Sequence, residues 1–161
     1  MINATACFLR KNGKILFLYR NRGREDIHKG YYVPPGGRFE RGEMGLESIL
    51  REFKEETGLT LLEPKLRIIA TFYNQERNLG GQKNTEDWQV EFYEACHFTG
   101  DLKREDKRDR LFWISENRIK DIKMYMGDRK IIRLLSKEGV YQTIAKYSGE
   151  DLIHFKYIRV Y

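Results

Sequence analysis

The chain predicts a layered α/β sandwich. Three observations carry this: strand-like runs separated by turn signals, two amphipathic helical segments set among them, and a length of 161 residues that fits one compact unit. Residues 2–9 and 14–19 read as two strands, and Asn12-Gly13 between them is a strong hairpin signal. A helix follows over residues 44–57, where Leu46, Ile49, Leu50 and Phe53 recur at i, i+3, i+4 and i+7 and Gly58 is placed to end it in a left-handed turn. Strands are expected at 65–73, 88–98 and 111–114, with Trp88, Tyr93, Phe112 and Trp113 assigned to the core. A second helix spans 128–137, with Ile131, Leu134 and Leu135 on one face and Gly139 after it. Residues 140–147 and 152–160 close the chain as a hairpin about Ser148-Gly149-Glu150.

Composition narrows the class. With 40% hydrophobic and 13% aromatic residues the chain can build a core, and no composition shift, repeat or low-complexity tract divides it, so residues 1–161 are expected to form a single domain. Cys7 and Cys96 lie in apolar strand-like runs, which suits free thiols in a reducing compartment and points to the cytoplasm. The start of the chain has no basic stretch before its apolar part and reaches Arg10 too soon for a signal peptide or a membrane span. A net charge of +6 fits a polyanionic partner, yet the cations are spread along the chain, so no stable nucleic-acid partner is expected. The densest run, residues 103–110, mixes signs like a solvated loop. Oligomeric state has no signal in the sequence.

Residues 37–59 carry the chemistry. Glu52, Glu55 and Glu56 stand at helical i, i+3, i+4 spacing behind a glycine-rich turn, within an arc of roughly 100° beside the apolar stripe. Like charges at this spacing each cost a few tenths of a kcal/mol, and a divalent cation removes that cost. Because no Cys or His stands among the candidate ligands, the implied metal is hard: Mg²⁺, or alternatively Mn²⁺, rather than Zn²⁺. A solvated acidic face is the commoner meaning of such a run. Arg20, Arg22, Arg24, Lys29 and Arg38 flank the segment and serve either to hold phosphates or to keep the surface soluble.

The spacing Gly37, Glu43, Arg51, Glu52, Phe53, Glu55, Glu56, Gly58, Leu59 resembles the Nudix signature, with Phe53 where that family has a smaller aliphatic residue. The resemblance implies a Nudix-type α/β/α sandwich with a mixed β-sheet and a catalytic loop-helix-loop. It also implies hydrolysis of a diphosphate linkage in a small-molecule nucleotide. Carried over position by position, Glu52, Glu55, Glu56 and the Gly37 carbonyl bind the metal, and Glu52 or Glu56 also activates water. Arg51 orients the carboxylates, and Glu43 fixes the loop to the helix. Many relatives supply a further Glu a few residues before the position of Trp113; here Arg108 and Asp109 stand near that place, with Asp109, Asp106 or Glu105 as substitutes or as solvated side chains.

For the substrate, the run from Asp26 to Tyr32 and the Tyr125-Met126-Gly127-Asp128 segment are similar to bacterial MutT-like 8-oxo-dGTP diphosphatases. That likeness assigns substrate contacts to Tyr32, Val33, Arg38, Arg22, Tyr125 and Asp128, with Tyr125 stacking on a base and Asp128 bonding its edge or else capping the second helix. Val33 replaces an Asn that reads the oxidised base in animal relatives, and Pro35-Gly36-Gly37 is common to Nudix enzymes that act on ADP-ribose and nucleotide sugars. The expected reaction is therefore Mg²⁺-dependent release of nucleoside monophosphate and pyrophosphate, with 8-oxo-dGTP as one substrate. Hydrolysis of a nucleoside-diphosphate derivative is the alternative, and a non-catalytic nucleotide-binding module the remote one. His28 is read as incidental or as a contact to phosphate or base. His97 and His154 stand without partners, and residues 74–86 form either a flap over the substrate or disorder.

Overall fold

A computed structural model of the chain describes residues 1–24, 26, 28–75, 77–79, 82–84, 86–104 and 108–161, with backbone alone for 75, 77–79 and 82–84. Strands β1 (Ile2–Lys11) and β2 (Lys14–Arg20) form the expected hairpin. Asn12 and Gly13 have φ of 52° and 72°, the left-handed pair that a two-residue turn between twisted strands demands. Only the last two residues of β1 pair with β2, at Arg10 and Lys11. The body of β1 lies between β4 (Gly36–Arg38), antiparallel, and β9 (Trp88–Ala95), parallel.

The main sheet runs β11-β2-β1-β9-β6-β12-β13, where β6 is Lys65–Gln75, β11 Asp109–Ser115, β12 Tyr141–Ser148 and β13 Asp151–Arg159. It is mixed, because β1/β9 and β6/β12 are parallel pairs and the other neighbours antiparallel. The short β3 (Tyr32–Val33) joins β2. Two small ladders lie outside this sheet: β5 (Thr60–Leu62) with β10 (His97–Thr99), and β7 (Arg77–Leu79) with β8 (Gln82–Asn84). The expected strand at 88–98 thus breaks at Cys96. Within the proposed flap the described backbone is a two-stranded ladder, while Glu76, Gly80, Gly81 and Thr85 lie outside the described residues.

Cys7, Phe8 and Leu9 are all fully buried, because this part of the sheet is covered on both faces. Phe8, Phe17, Ile68 and Phe92 pack under helix α2 (Met126–Leu134) with Ile131 and Leu134, whereas Cys7, Leu9, Leu16 and Tyr93 pack under helix α1 (Gly45–Thr57) with Ile49 and Phe53. Alternation along β1 and β2 sends successive side chains to opposite clusters, which makes an α/β/α sandwich.

Two expectations about the helices need correction. Leu46 and Leu50 remain 46% and 37% exposed, so of the apolar stripe Ile49 and Phe53 alone are buried. The buried arc of α1 passes through Gly45, Ser48, Ile49, Phe53 and Thr57, and at about 100° per residue Glu52 and Glu56 fall inside it. Small residues at 45 and 48 let the first turn approach β9 and β1, where Ser48 and Thr5 hydroxyls lie 3.3 Å apart. Helix α2 begins at Met126, two residues before the expected start, with Tyr125 at its N-cap. Asp128 therefore sits in the first turn, and it does not cap the helix.

Candidate active site

The site starts from the close pairing of β4 with β1, which sets Gly36 and Gly37 beside α1. The Gly36 N–H donates to Glu56 Oε2 at 2.9 Å. The Glu52 carboxylate lies so close to Gly37 that a Cβ there would stand 2.2 Å from its carboxyl carbon, so a larger residue would push that carboxylate out of place. Arg51 holds the assembly together. It donates to both oxygens of Glu43 at 2.8 Å, to Glu52 Oε1 at 2.7 Å and to the Arg38 carbonyl at 3.1 Å. Glu43 also accepts the Glu40 N–H at 2.8 Å, so one guanidinium ties the loop ahead of the helix, strand β4 and a carboxylate of α1 to each other.

The same geometry sets the charges. The hydrogen bonds from Arg51 and the Glu40 amide hold the Glu43 carboxyl down at about 2. Burial pushes Glu56 the other way, up to about 7, against the opposing pull of the Gly36 amide and of Arg22 and Arg20. Glu55 departs from expectation: its side chain is 59% exposed and faces Arg51 at 3.5 Å, so the structure brings together two of the three predicted carboxylates. Its place in the helix explains this, since Glu55 lies outside the buried arc that holds Glu52 and Glu56. Asp109 is not a solvated loop residue. It opens β11, its side chain is only 9% exposed, and it accepts from Arg22 Nε at 2.6 Å. Glu105 and Asp106 lie outside the described residues.

The donors at this place are hard oxygens, and Glu56 is a buried carboxylate that a cation would relieve of its desolvation cost. The site thus fits Mg²⁺ or Mn²⁺, with Glu52 and Glu56 as side-chain donors, although among the described residues no three His, Cys, Asp or Glu side chains converge on one point.

One cavity of about 680 Å³ joins Gly37, Glu52 and Glu56 to an aromatic wall that includes Phe72, Trp88, Tyr125 and Tyr147. Of the predicted substrate contacts, Arg22, Val33, Arg38, Tyr125 and Asp128 line it. Tyr32 does not. Strand alternation turns Val33 to the cavity and leaves Tyr32 between Tyr19 and Phe112, with ring centroids 5.0 and 5.9 Å away. The residue that matters beside it is Tyr31, stacked on Tyr125 at 4.2 Å and 10°, with Lys123 4.4 Å from the Tyr31 ring. His28 also lines the cavity, its Nδ1 2.6 Å from the Tyr125 hydroxyl, while His97 and His154 are exposed on β10 and β13.

Sequence reasoning assigned Trp88 to the core, gave Phe72 and Asp26 no role of their own, and placed Asn74 at the start of the segment read as flap or disorder. Trp88 lies under the Arg38 guanidinium at 5.0 Å in the cavity wall, and Asp26 pairs with Arg20 at 3.1 Å. A signal was present: positions 72 and 74 of β6, and 88, 90 and 92 of β9, alternate onto one face.

Fold and site together define an α/β protein in which the glycine strand β4, where a glycine-rich turn was expected, and an acidic helix guard a nucleotide-sized cavity. The family model of the NUDIX domain matches residues 1–135. The chain belongs to the Nudix hydrolase family, whose members act on pyrophosphate bonds. It is 30% identical over 154 residues, 94% of this chain and 91% of the relative, to a protein of Bacillus subtilis (strain 168) named as an uncharacterized Nudix hydrolase, YvcI. A shorter match, 38% identical over 66 residues, covers 41% of this chain and 36% of an ADP-ribose pyrophosphatase from Methanocaldococcus jannaschii. The fold is similar to the crystal structure of a mutator MutT protein from Bacillus halodurans, with a TM-score of 0.83, 24% identity and coverage of 98% and 97% of the two chains.

Proposed function

We propose that residues 1–161 form one Nudix domain that hydrolyses nucleoside triphosphates to the monophosphate and pyrophosphate in a reducing compartment such as the cytoplasm, with 8-oxo-dGTP among its substrates. One observation carries the reading: the Glu52/Glu56 pair and the wall of Trp88, Tyr125 and Asp128 belong to the same cavity, so phosphate chemistry and base binding share one ligand. When bound to Glu52, Glu56 and the Gly37 carbonyl, Mg²⁺ or Mn²⁺ supplies charge neutralisation at phosphate and a more electrophilic phosphorus. The other steps belong to the chain. Arg51 fixes the Glu52 carboxylate against strand β4. Burial raises the Glu56 carboxyl to about 7 in the metal-free chain; a bound cation would keep it ionised, and Glu52 or Glu56 is then the side chain suited to take a proton from an attacking water. Arg38 and Arg22 bring positive charge to the phosphates. The Tyr31–Tyr125 stack offers a rigid face to a base, and the Asp128 carboxylate accepts from an amino or imino edge.

The Val33 side chain at the cavity supports a second reading, a nucleoside-diphosphate derivative as substrate, because an apolar residue there supplies no hydrogen bond to an oxidised base. The ratio of kcat/KM for 8-oxo-dGTP over dGTP decides, measured with Mg²⁺ beside ADP-ribose and a nucleotide sugar. A ratio well above one supports oxidised-purine selectivity. A ratio near one with faster ADP-ribose turnover moves the assignment to the second reading, and no product from any compound removes the catalytic reading altogether.

A further inference from the structure

Arg22 stands between two carboxylates that have different claims on it. Its Nε donates to Asp109 Oδ2 at 2.6 Å and its Nη2 lies 2.5 Å from the same oxygen, while Nη2 reaches Glu56 Oε1 only at 3.4 Å. The Asp109 contact is short and doubly made, and the Glu56 contact is at the limit of a hydrogen bond. The backbone enforces this asymmetry. Asp109 opens β11 opposite Arg20 of β2, and the Asn21 N–H donates to the Arg108 carbonyl at 2.7 Å, so Arg22 leaves the sheet beside its anchor. Glu56 is held on its other oxygen by the Gly36 amide, so Oε1 is the oxygen that the guanidinium faces.

We infer that Arg22 is a displaceable latch on Glu56: anchored by Asp109, it competes with a divalent cation for Glu56 Oε1, and once displaced it remains at the cavity mouth to hold a substrate phosphate. This inference rests on the proposed function, since it takes Glu56 to be a metal donor. The physical ground is that a guanidinium and a dication on one carboxylate oxygen repel each other across a short distance in a partly dry site. A loose contact to Glu56 and a tight one to Asp109 let the arginine release the first without losing the second. Asp109 is then a positioning residue that acts through Arg22, and it is not a metal donor.

The inference makes a prediction of sign. If Arg22 merely braced Glu56, removing it would weaken metal binding; as a competitor, its removal tightens it. Mn²⁺ binding is measured by electron paramagnetic resonance on the full chain for wild type, Arg22→Ala, Asp109→Asn and the double variant, with thermal melts to confirm folding. Arg22→Ala is expected to bind Mn²⁺ roughly tenfold more tightly and to show a higher KM for a nucleoside triphosphate. Asp109→Asn releases the guanidinium toward Glu56 and binds Mn²⁺ more weakly than wild type. The double variant returns to the Arg22→Ala value, because Asp109 acts on Glu56 through Arg22. Unchanged or weaker Mn²⁺ binding in Arg22→Ala overturns the latch while leaving the functional reading intact. A double variant weaker than Arg22→Ala overturns the positioning role and makes Asp109 a ligand. Absence of Mn²⁺ binding by the folded wild type removes the functional reading and the latch together.

Discussion

Glu56 is the residue on which opposing demands meet. It must lie in the buried arc of α1 to face Gly36 of β4, and burial raises its carboxyl to about 7 from an ordinary 4.5. A carboxyl with a raised folded value favours the folded state most below its unfolded value and loses that advantage as pH rises through the folded one. Metal-free wild type should therefore lose stability between about pH 4.5 and pH 7, by at most on the order of 3 kcal/mol. Glu56→Gln lacks this pH dependence. Thermal melts in EDTA across pH 4–8 test it, and parallel curves for the two proteins would dismiss it. In Mg²⁺ the same substitution should lower kcat by orders of magnitude with the fold intact, and wild-type turnover in that variant would end the metal assignment. Arg51 makes a contrasting case. Its fork meets two oxygens of Glu43 and one of Glu52, a geometry that an ammonium cannot copy, so Arg51→Lys should cost about 1–3 kcal/mol in denaturant unfolding and reduce kcat as well. A variant equal to wild type in both would show that the fork is ornamental.

At the scale of elements, α1 shows what could be read from the sequence and what could not. Its existence, its end at Gly58 and the register of Arg51, Glu52 and Glu56 were legible, because spacing along a helix is local information. Its rotation was not. The apolar residues Leu46 and Leu50 suggested a face centred away from the glutamates, whereas the tertiary contacts of Gly45 and Ser48 turn Glu52 and Glu56 inward and leave Glu55 in solvent. The short strands ahead of the helix were equally hidden, since β3 and β4 are two and three residues long and take their strand pairing from β2 and β1. Tyr32 was misplaced for that reason: without β3 there was no alternation to tell Tyr32 from Val33. The rotation of α1 can be checked by unfolding. Phe53→Ala should cost about 3–5 kcal/mol, whereas Leu50→Gln should stay within about 0.5 kcal/mol. Comparable losses at both positions would restore the face that the apolar stripe suggested.

For the molecule as a whole, the question is whether the last hairpin belongs to the same folding unit as the site. The family match ends at residue 135, before β12 and β13. Yet β12 pairs with β6 over eight positions, from Tyr141 opposite Ile68 to Ser148 opposite Gln75, and β6 supplies Phe72 and Asn74 to the cavity. Tyr141 belongs to the core under α2, Ala145 and Tyr147 are buried, and the Tyr147 hydroxyl accepts the Gly127 N–H at 2.8 Å, which fixes the start of α2 where Tyr125 and Asp128 stand. Removing the hairpin would bare a sheet edge and strip one side of that helix. Strand β13 itself is built to end the sheet: its pairing with β12 passes over Ile153 in a bulge, and Lys156 and Arg159 are exposed along it. A chain cut after residue 135 should therefore lack a cooperative melt and expose apolar surface to a dye such as ANS, even though it retains Glu43, Arg51, Glu52 and Glu56. The milder variant Tyr147→Phe keeps the fold but loses the hydroxyl at Gly127, and should raise KM for a nucleotide more than it lowers kcat, because the end of α2 proposed to meet the base is loosened while β4 and α1 are untouched. A cooperative, near-wild-type melt of the 1–135 fragment would show that the hairpin is an appendage, and the cavity would then have to be redrawn without Tyr147.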